Sequence, residues 1–600
     1  MQTRCHLSEL AYLQAKKYGN KTCFTYQKWG SKEWDKISWK EVAERVKVIS
    51  YAMLNLGVGV QENIGVFSQN SLEYILTDMG AWGIRAVPVP FYATSSEQQI
   101  HFMIDDAQIR FVFVGEQEQY DKTIAVMPLC NTLEKIIVFD KRVKINPHLA
   151  LYFDDFMAMG KENPKQTELD DLLGQASDED LSNILYTSGT TGDSKGVVLT
   201  HGQNRAALIA NDESLVFDEK KDRVMSFLPL SHIFEGAWMC LCLTEGVEVI
   251  INTNPKRIQE AMREQHPTCM SAVPRFWEKV YVGVQAKIEN SPKMQQKLMR
   301  DALKVGREHN VEYVLKGKRP PIGLHLKYKL YEKTLFSMVK KQLGLENANY
   351  FPTAGSFVSE QVAEFIHSLG IYMMVGYGLT ESYATVSNWH KNKTVTVGSV
   401  GRPIKGLQIK FGENDEILLK GPTITPGYYK REELNKQSFT EDGFFKTGDS
   451  GYMKDGELYL KERLKELFKT SNGKYIAPQM IESKLLVDKY IDQISIVADD
   501  RKFVSALIVP SFDMLKKYAD DYNIPYMNNE DLCRNNKIRE MLFERLDTLQ
   551  QGLASYEKVK NFVLLPEAFS IEKGELTNTL KIKRRVLLQN YKQQIDAMYE

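Results

Sequence analysis

A loop rich in glycine, serine and threonine, set between two strand-like segments, is the feature that most restricts how this chain folds. The loop has the sequence YTSGTTGDSKG over 186–196 and contains one basic residue, Lys195. The apolar segment 181–186 precedes it, and VVLTH follows it at 197–201. Small residues allow backbone N–H groups and hydroxyls to approach an anion closely, and a lone lysine adds a mobile positive charge. The segment therefore predicts a strand, a phosphate-binding loop and a second strand.

The Walker A loop is the obvious alternative, because it also combines glycines with a lysine. Its pattern, G-x-x-x-x-G-K-[ST], places Ser or Thr after the lysine and continues into a helix. Here Lys195 lies between Ser194 and Gly196, and a strand pattern follows. These differences exclude the Walker A loop and favour another way of holding phosphate.

Length and charge narrow the class of protein. A chain of 600 residues is too long for one hydrophobic core, so at least two domains are expected. Lys plus Arg and Asp plus Glu both number 77, and a net charge of zero argues against general nucleic-acid binding. Glu245 and Glu248 interrupt the most apolar stretch, 236–251, and the N-terminus has no apolar signal segment. Seven cysteines without zinc-like spacing suit a reducing cytosol, so we expect a cytoplasmic protein.

Helix and strand patterns alternate in the first third of the chain. Two capping boxes, Ser38 with Glu41 and Thr94 with Glu97, predict helix starts, and Gly57 predicts the end of the first helix. Apolar strand patterns follow each helix, as in ENIGVFS and RFVFVG. This alternation is typical of an α/β fold with parallel sheets wrapped by helices.

The pattern changes twice further along. Residues from about 276 to 345 are charged and helical in period, which indicates a helical insertion. Short strands with turns fill about 397–464, and Asp455-Gly456 predicts a hairpin there, which suits a small β-barrel-like subdomain. We expect a large N-terminal domain over 1–464 and a C-terminal α+β domain over 465–600.

Four further runs occur in a fixed order after the loop: GYGLTES at 376–382, TGD at 447–449, ERLKELFKTSNGKYIAP at 462–478 and LTNTLKIKRR at 576–585. With these runs the chain resembles the AMP-forming acyl-CoA synthetases, the superfamily that also holds firefly luciferase and peptide-synthetase adenylation domains. VPRFWEKVY at 273–281 resembles the start of the helical insertion in the long-chain fatty acyl branch. The resemblance implies doubly wound sheets in the large domain and a small, mobile C-terminal domain.

The resemblance also implies a two-step reaction. A fatty acid carboxylate attacks the α-phosphorus of ATP and releases pyrophosphate, with Mg²⁺ on the phosphates, and the thiol of coenzyme A then displaces AMP. Two alternatives stay open: a medium-chain or aryl acid as substrate, or a carrier-protein thiol as acceptor. A non-catalytic acyl-binding relative is a third, but the phosphate loop, Glu381 and Lys581 are all intact. The sequence does not indicate the oligomeric state.

The resemblance assigns roles to individual residues. Lys195, Thr380, Glu381 and Lys581 are the implied catalytic residues, with Glu381 as the magnesium ligand and Lys581 between the attacking carboxylate and the α-phosphate. The implied ATP contacts are Thr187, Ser188, Gly189, Thr190, Thr191, Gly192, Lys195, Gly355, Ser356, Tyr377, Gly378, Thr380, Asp449 and Arg463. Tyr377 would stack on adenine, and Asp449 with Arg463 would hold the ribose.

Three positions depart from the family's pattern. Ser194 stands where a proline is common, Glu462 replaces an aspartate before Arg463, and TAGSFVS at 353–359 differs from the commoner SGGAPL. None of these changes removes a predicted phosphate ligand. The last one limits the adenine-side assignment to small residues that contact the nucleotide through their backbone.

The remaining assignments each have a structural alternative. His232 and Trp238 in LPLSHIFEGAW would line the acyl pocket, or they are ordinary core side chains. Lys465 would be the hinge between the domains, and Gly473 with Lys474 would line the path of coenzyme A, or these residues belong to a solvated linker. The lysine-rich stretch 327–341 is either a solvated helix face or a peripheral contact with the inner face of an anionic membrane.

Overall fold

The computed structural model describes residues 6–187, 194–391, 393–578 and 580–600. Within the predicted phosphate loop, Thr187 and Lys195 are therefore described. The predictions for Ser188, Gly189, Thr190, Thr191 and Gly192 lie outside the described residues.

A five-stranded parallel sheet forms the first layer of the N-terminal domain. Its strands are, in spatial order, Val87–Phe91, Asn63–Phe67, Phe111–Val114, Lys135–Val138 and Ala150–Tyr152. The helices that surround this sheet are Trp39–Asn55, Leu72–Gly83, Glu97–Ala107, Gln117–Val126, Phe153–Glu162 and Gln166–Gly174. The predicted alternation of helix and parallel strand is confirmed.

One of the two predicted capping boxes is correct and the other is wrong by two residues. Ser38 caps Trp39–Asn55 together with Glu41, as expected. The helix Glu97–Ala107 begins after Ser96, whose box partner is Gln99, instead of after Thr94. The segment TSSEQQ contains overlapping frames of the box pattern. Within this helix Ile100 and Ile104 are buried.

A second five-stranded sheet carries the largest apolar core. Its strands are, in spatial order, Cys269–Met270, Arg223–Ser226, Glu248–Ile251, Thr22–Gln27 and Trp34–Ser38, all parallel except the last. Its helices are Leu10–Tyr18, His201–Asn211, Ile233–Glu245 and Ile258–Gln265. An antiparallel hairpin of Leu181–Thr187 and Lys195–Thr200 sets Thr187 opposite Lys195. The predicted strand–loop–strand unit is thus confirmed in its strands.

The predicted insertion is helical. It contains Pro274–Glu289, Lys293–Arg307, Ile322–Tyr331 and Ser337–Leu343, with π-helical turns at Glu308–Val314 and Glu332–Phe336. A mixed sheet follows, made of Phe351–Thr353, Met373–Tyr377, Ser387–Asn388 and Arg402–Pro403, with the helix Glu360–Ser368. This sheet extends toward the nucleotide motif GYGLTES.

Four antiparallel strands make up the predicted small β subdomain. They are Gln408–Phe411, Glu416–Lys420, Phe445–Lys454 and Glu457–Arg463, with the helix Glu432–Ser438 beside them. Asp455 and Gly456 join the last two strands and have φ angles of 52° and 78°. Positive φ at both positions is typical of a type I′ turn, so the predicted hairpin is confirmed.

The C-terminal region is α+β with apolar cores of its own. Its sheet consists of Ile491–Val497, Val504–Pro510 and Val559–Leu564, and a short hairpin pairs Phe468–Lys469 with Tyr475–Ile476. Its helices are Pro478–Leu485, Phe512–Asp521, Asn529–Arg534, Asn536–Leu549, Arg584–Asn590 and Lys592–Ala597. None of the helices in the described ranges is both long and apolar enough to span a bilayer.

Candidate active site

A carboxylate held by two neighbours lies at the cleft between the N- and C-terminal regions. Asp449 and Arg463 face each other on adjacent strands, and Arg463 Nε donates to Asp449 Oδ1 over 2.9 Å. The hydroxyl of buried Tyr377 donates to Asp449 Oδ2 over 2.7 Å. Asp449 raises the pKa of Arg463, so the guanidinium stays charged. Each carboxylate oxygen can accept a further bond, so the predicted ribose ligand is oriented and still available.

Lys581 reaches this cluster from the C-terminal domain. Lys581 is exposed to solvent in the cleft, but the surrounding protein partly desolvates it and lowers its pKa, with a further contribution from Arg463, while Asp449 and Glu466 oppose the shift. Asn578, three residues earlier, donates through Nδ2 to Ser95 Oγ and Gln99 Oε1, both at 3.3 Å. This contact anchors the lysine loop on the N-terminal domain. The structure therefore brings Lys581 and the Asp449–Arg463 pair together.

His232 lies beside Lys581 at the start of the helix Ile233–Glu245. Its Nδ1 accepts the backbone N–H of Phe234 over 3.2 Å, which leaves the proton of the neutral ring on Nε2. Burial, together with the nearby Lys581 charge, lowers the pKa of His232 to about 4. At neutral pH the ring is an uncharged hydrogen-bond donor.

Glu381 and Lys195 meet at an aromatic residue that the sequence analysis missed. The hydroxyl of Tyr428 donates to Glu381 Oε1 over 2.7 Å, and Lys195 Nζ lies 3.8 Å from the centre of the Tyr428 ring. Burial lowers the pKa of Lys195, and Glu381 opposes that shift. A sequence signal for Tyr428 was available in the run Pro-Gly-Tyr-Tyr at 426–429. In the structure Gly427 of this run has a φ of 145°, a conformation that favours glycine.

The other predicted nucleotide contacts lie on turns near this cluster. Gly355, with a φ of 99°, and Ser356 are exposed after the strand Phe351–Thr353. Thr380 begins the short turn Thr380–Ser382. A Cβ atom at Gly378 would lie 1.5 Å from the carbonyl oxygen of Ala384, so only glycine fits this position.

Lys465 lies within electrostatic range of Lys195, whose pKa its charge helps to lower, whereas Gly473 and Lys474 lie away from the cleft cluster in this arrangement. Lys465 is exposed in the turn Leu464–Glu466, between the β subdomain and the C-terminal hairpin. Gly473 and Lys474 are exposed in the turn of that hairpin, where Lys474 Nζ lies 5.6 Å from the ring centre of Tyr556. Their contact with a substrate requires another placement of the C-terminal domain.

Glu462 connects the β subdomain with the C-terminal domain. Its carboxylate accepts the backbone N–H of Arg463 over 3.0 Å and that of Gln479 over 3.3 Å. Burial raises the pKa of Glu462 to about 7. The departure from aspartate noted in the sequence therefore supplies a side chain that bonds across the domain junction.

An uncharged cavity that opens to solvent lies beside the cluster. Its lining includes Asn204, Leu208, Phe234, Trp238, Leu241 and Tyr377, and no charged side chain is among the described residues that line it. Trp238 also packs against Phe217 and Tyr350, with ring centres 5.3 and 6.2 Å away. Trp238 is therefore both a core residue and a wall of the cavity.

Tyr383 lies between this cavity and a second one. Both cavities have Tyr383 and Ala237 in their walls, and Asn204 Nδ2 donates to the Tyr383 hydroxyl over 2.7 Å. Tyr383 was not predicted from the sequence, because its position between two cavities depends on helices that are distant in sequence.

Comparison with protein-family profiles identifies the family of this chain. The profile described as AMP-binding enzyme matches residues 12–429, and the AMP-binding enzyme C-terminal domain matches residues 466–600. This chain belongs to the family of AMP-binding enzymes. The resemblance to adenylate-forming enzymes is thereby confirmed.

Two curated relatives extend over nearly all of this AMP-binding enzyme. Fatty acyl-CoA synthetase A of Dictyostelium discoideum is 28% identical and covers 95% of this chain and 86% of its own length. Long-chain-fatty-acid–CoA ligase 5 of Mus musculus is 29% identical, with coverage of 97% and 86%.

A solved structure supports the fold. The A domain of carboxylic acid reductase from Segniliparus rugosus, in complex with AMP and a co-purified carboxylic acid, aligns with a TM-score of 0.77 at 19% identity. The alignment covers 100% of this chain and 95% of that chain. The predicted α/β architecture, with its large N-terminal and small C-terminal domains, is confirmed.

Proposed function

We propose that this AMP-binding enzyme is a long-chain fatty acid–CoA ligase that forms an acyl-adenylate and releases AMP and pyrophosphate. One observation carries the proposal. Lys581 lies within electrostatic range of both His232, at the start of a helix that lines the cavity, and the Asp449–Arg463 pair. A cation between an acyl cavity and a nucleotide cluster is placed where a carboxylate would attack a phosphate.

Charge repulsion is the main obstacle to the first step, because a carboxylate must approach a negatively charged phosphate. Lys581 would offset this repulsion, and a cation acts strongly at a site that is partly shielded from water. Neutral His232 would donate its Nε2 proton to the other carboxylate oxygen and so orient the acid. Asp449, held by Arg463 and Tyr377, would accept the ribose hydroxyls, and Thr380 would bond the α-phosphate.

The residues present fit a magnesium ion bridging the phosphates. Glu381 offers a carboxylate whose Oε1 is fixed by Tyr428, while no hydrogen bond from a described residue occupies Oε2. Hard cations prefer such oxygen ligands. Bound Mg²⁺ would supply neutralisation of the phosphate charge, and Lys195 would add a second positive group.

The second step requires a thiol to reach the adenylate that Lys581 covers. We propose that Lys465 is the pivot of this change, since it lies exposed in a short turn between separately packed regions. Rotation there would withdraw Lys581 and bring Gly473 and Lys474 toward the path of coenzyme A. Bonds that would have to break include those of Asn578 to the N-terminal domain.

The proposed acyl substrate rests on two observations. The cavity is uncharged, and the relatives are named fatty acyl-CoA synthetase and long-chain-fatty-acid–CoA ligase. Apolar walls suit methylene groups, at about 0.8 kcal/mol for each buried CH₂. A medium-chain or aryl acid, or a carrier-protein thiol in place of coenzyme A, is the alternative. All six cysteines in the described ranges carry free thiols, which supports a reducing compartment such as the cytoplasm.

Pyrophosphate exchange with a chain-length series tests the proposal. Purified protein with Mg²⁺, ATP and a long-chain fatty acid should exchange labelled pyrophosphate into ATP without coenzyme A. Adding coenzyme A should yield AMP and a thioester, most efficiently with long chains. Formation of ADP and phosphate would contradict adenylation, and a preference for aryl acids would contradict the substrate assignment alone.

A further inference from the structure

Large apolar side chains project into solvent along one side of the helical insertion. On the helix Ile322–Tyr331 they are Ile322, Leu326 and Leu330, which are 80%, 64% and 61% exposed. Residues four apart advance only about 40° around a helix, so these three form one stripe. Met338, 60% exposed, follows after the π-helical turn Glu332–Phe336.

The opposite side of the same helices faces the core. Tyr328, Tyr331, Phe336 and Val339 are buried there. The insertion therefore already has its internal packing face, and the exposed stripe is a second apolar face. Its exposure is not explained by packing within this chain.

The neighbouring helix Lys293–Arg307 extends this exposed face. Met294 is 83% exposed and Leu298 is 45% exposed. Asp301 lies one turn beyond Leu298 and pairs with Lys327 over 2.9 Å, while Tyr331 donates to the same carboxylate. These two contacts tie the helices together.

Positive charge is concentrated in the same segment. Residues 290–345 contain thirteen Lys or Arg and four Asp or Glu, a net charge of +9. Because the whole chain has a net charge of zero, the remainder carries −9. Lys329 and Lys333 lie beside the stripe on the helical projection, and both are exposed. This distribution is a local feature that the overall composition conceals.

We propose that this basic apolar face, formed by the exposed sides of 293–307 and 322–341, docks on an anionic lipid bilayer. Helices with an apolar stripe and flanking lysines lie in the plane of a membrane interface. Their apolar side chains enter the acyl boundary, while the long lysine stems extend to the headgroups. A segment with a net charge of +9 attracts an anionic surface. This charge favours an anionic bilayer over a neutral apolar partner.

The helical insertion also contacts the cavity described above. The first helix of the insertion, Pro274–Glu289, carries Trp277, whose Nε1 donates to Thr353 Oγ1 over 2.9 Å. Thr353 belongs to the cavity lining. This bond belongs to the helix that precedes the docking face, so it joins the insertion as a whole to the cavity wall. The docking itself goes beyond the proposed ligase activity and needs neither ATP nor coenzyme A.

Vesicle sedimentation of the full chain tests the docking. The wild type should bind vesicles of phosphatidylglycerol and phosphatidylcholine at low salt and bind pure phosphatidylcholine at least about tenfold more weakly. The triple variant Ile322→Ser, Leu326→Ser, Leu330→Ser should bind the anionic vesicles at least about tenfold more weakly than the wild type. A charge variant, Lys297→Glu, Lys333→Glu, Lys341→Glu, should lose the preference for anionic vesicles.

A matched control removes exposed apolar side chains elsewhere. Leu129, Val216 and Met527 are 62%, 55% and 91% exposed, and their triple replacement by serine should leave vesicle binding within about twofold. Thermal melting should show that each variant is folded. Equal vesicle binding by the wild type and the stripe variant would overturn the proposal. So would the absence of wild-type binding to anionic vesicles, which would leave a protein as the occupant of this face. Neither result bears on pyrophosphate exchange, so the ligase assignment is tested separately.

Discussion

The nucleotide end and the acyl cavity of this enzyme are built in different ways. At the nucleotide end, charged groups hold one another at short range, as in the Arg463–Asp449–Tyr377 chain and the Tyr428–Glu381 bond. The cavity is uncharged along its described lining and is shaped by helices distant in sequence. A change at the first end removes a charge, whereas a change at the second alters volume. The first should affect rate by orders of magnitude and the second should affect substrate preference by small factors.

The largest effect is expected at Lys581, which would sharpen the contrast. Lys581→Ala should slow acyl-adenylate formation about a hundredfold or more, because a positioned cation is worth on the order of 3 kcal/mol in a charge-developing step. Thioester formation from pre-made acyl-adenylate should be spared. Pyrophosphate exchange and single-turnover thioester assays measure the two steps. Lys583→Ala is the control and should preserve both, and an equal loss of both steps in Lys581→Ala would contradict its assigned role.

Glu235 is a buried acid next to the cavity. If its carboxyl group were ionised, the contrast between a charged nucleotide end and an uncharged cavity would not hold. Glu235 is fully buried on the helix Ile233–Glu245 and accepts a hydrogen bond from Ser271. Burial raises the pKa of Glu235 to about 7, against hydrogen bonds from Ser226 and Ser271 that lower it. The folded protein thus keeps a proton that the unfolded chain has lost between about pH 4.5 and 7.

The stability of the wild type should therefore fall as pH rises through this interval and level off above it. Glu235→Gln has no carboxyl group to titrate at this position, so its stability lacks this dependence. The free energy of unfolding of the variant minus that of the wild type should therefore increase by up to about 3 kcal/mol from pH 4.5 to pH 8. Urea denaturation at several pH values measures the difference. Glu441→Gln, at an exposed site, should follow the wild type. Parallel pH profiles for Glu235→Gln and the wild type would show that Glu235 is ionised when buried.

The third largest effect is expected at Lys465, the proposed pivot. Lys465→Pro fixes φ at the turn, so thioester formation should fall about tenfold or more while pyrophosphate exchange remains close to that of the wild type. Lys465→Ala keeps the backbone free and should preserve both steps, which separates the pivot from the lysine charge. Rapid-quench measurement of each half-reaction is the test. Loss of pyrophosphate exchange in the proline variant would refute a role limited to the second step.

The smallest effect is expected at Trp238, on the cavity side. Trp238→Ala enlarges the cavity and should change the ranking of fatty acid chain lengths several-fold, with little change in the KM for ATP. If Trp238 acts only in the core, the variant should instead lose about 3–5 kcal/mol of stability and keep its ranking. A chain-length series run beside a thermal melt distinguishes these outcomes.

The sequence by itself determined features that depend on neighbouring residues. The strands that flank the predicted phosphate loop and the turn at Asp455-Gly456 follow from local residue preferences, and both were predicted correctly. Ordered motifs also identified the adenylate-forming family and brought Asp449, Arg463, Glu381 and Lys581 to attention. Such signals are readable because each is contained in a few consecutive residues.

Only the tertiary structure decided which distant residues meet. The bond of Tyr428 to Glu381 spans 47 residues, and that of Asn204 to Tyr383 spans 179. The helix start at Ser96 was one of several overlapping local signals, which the sequence pattern did not distinguish. Exposure of Ile322, Leu326 and Leu330 was also undetermined, because an apolar residue in a helical pattern normally packs inward. Which face is covered depends on what the rest of the chain places against it, and that is a property of the whole fold.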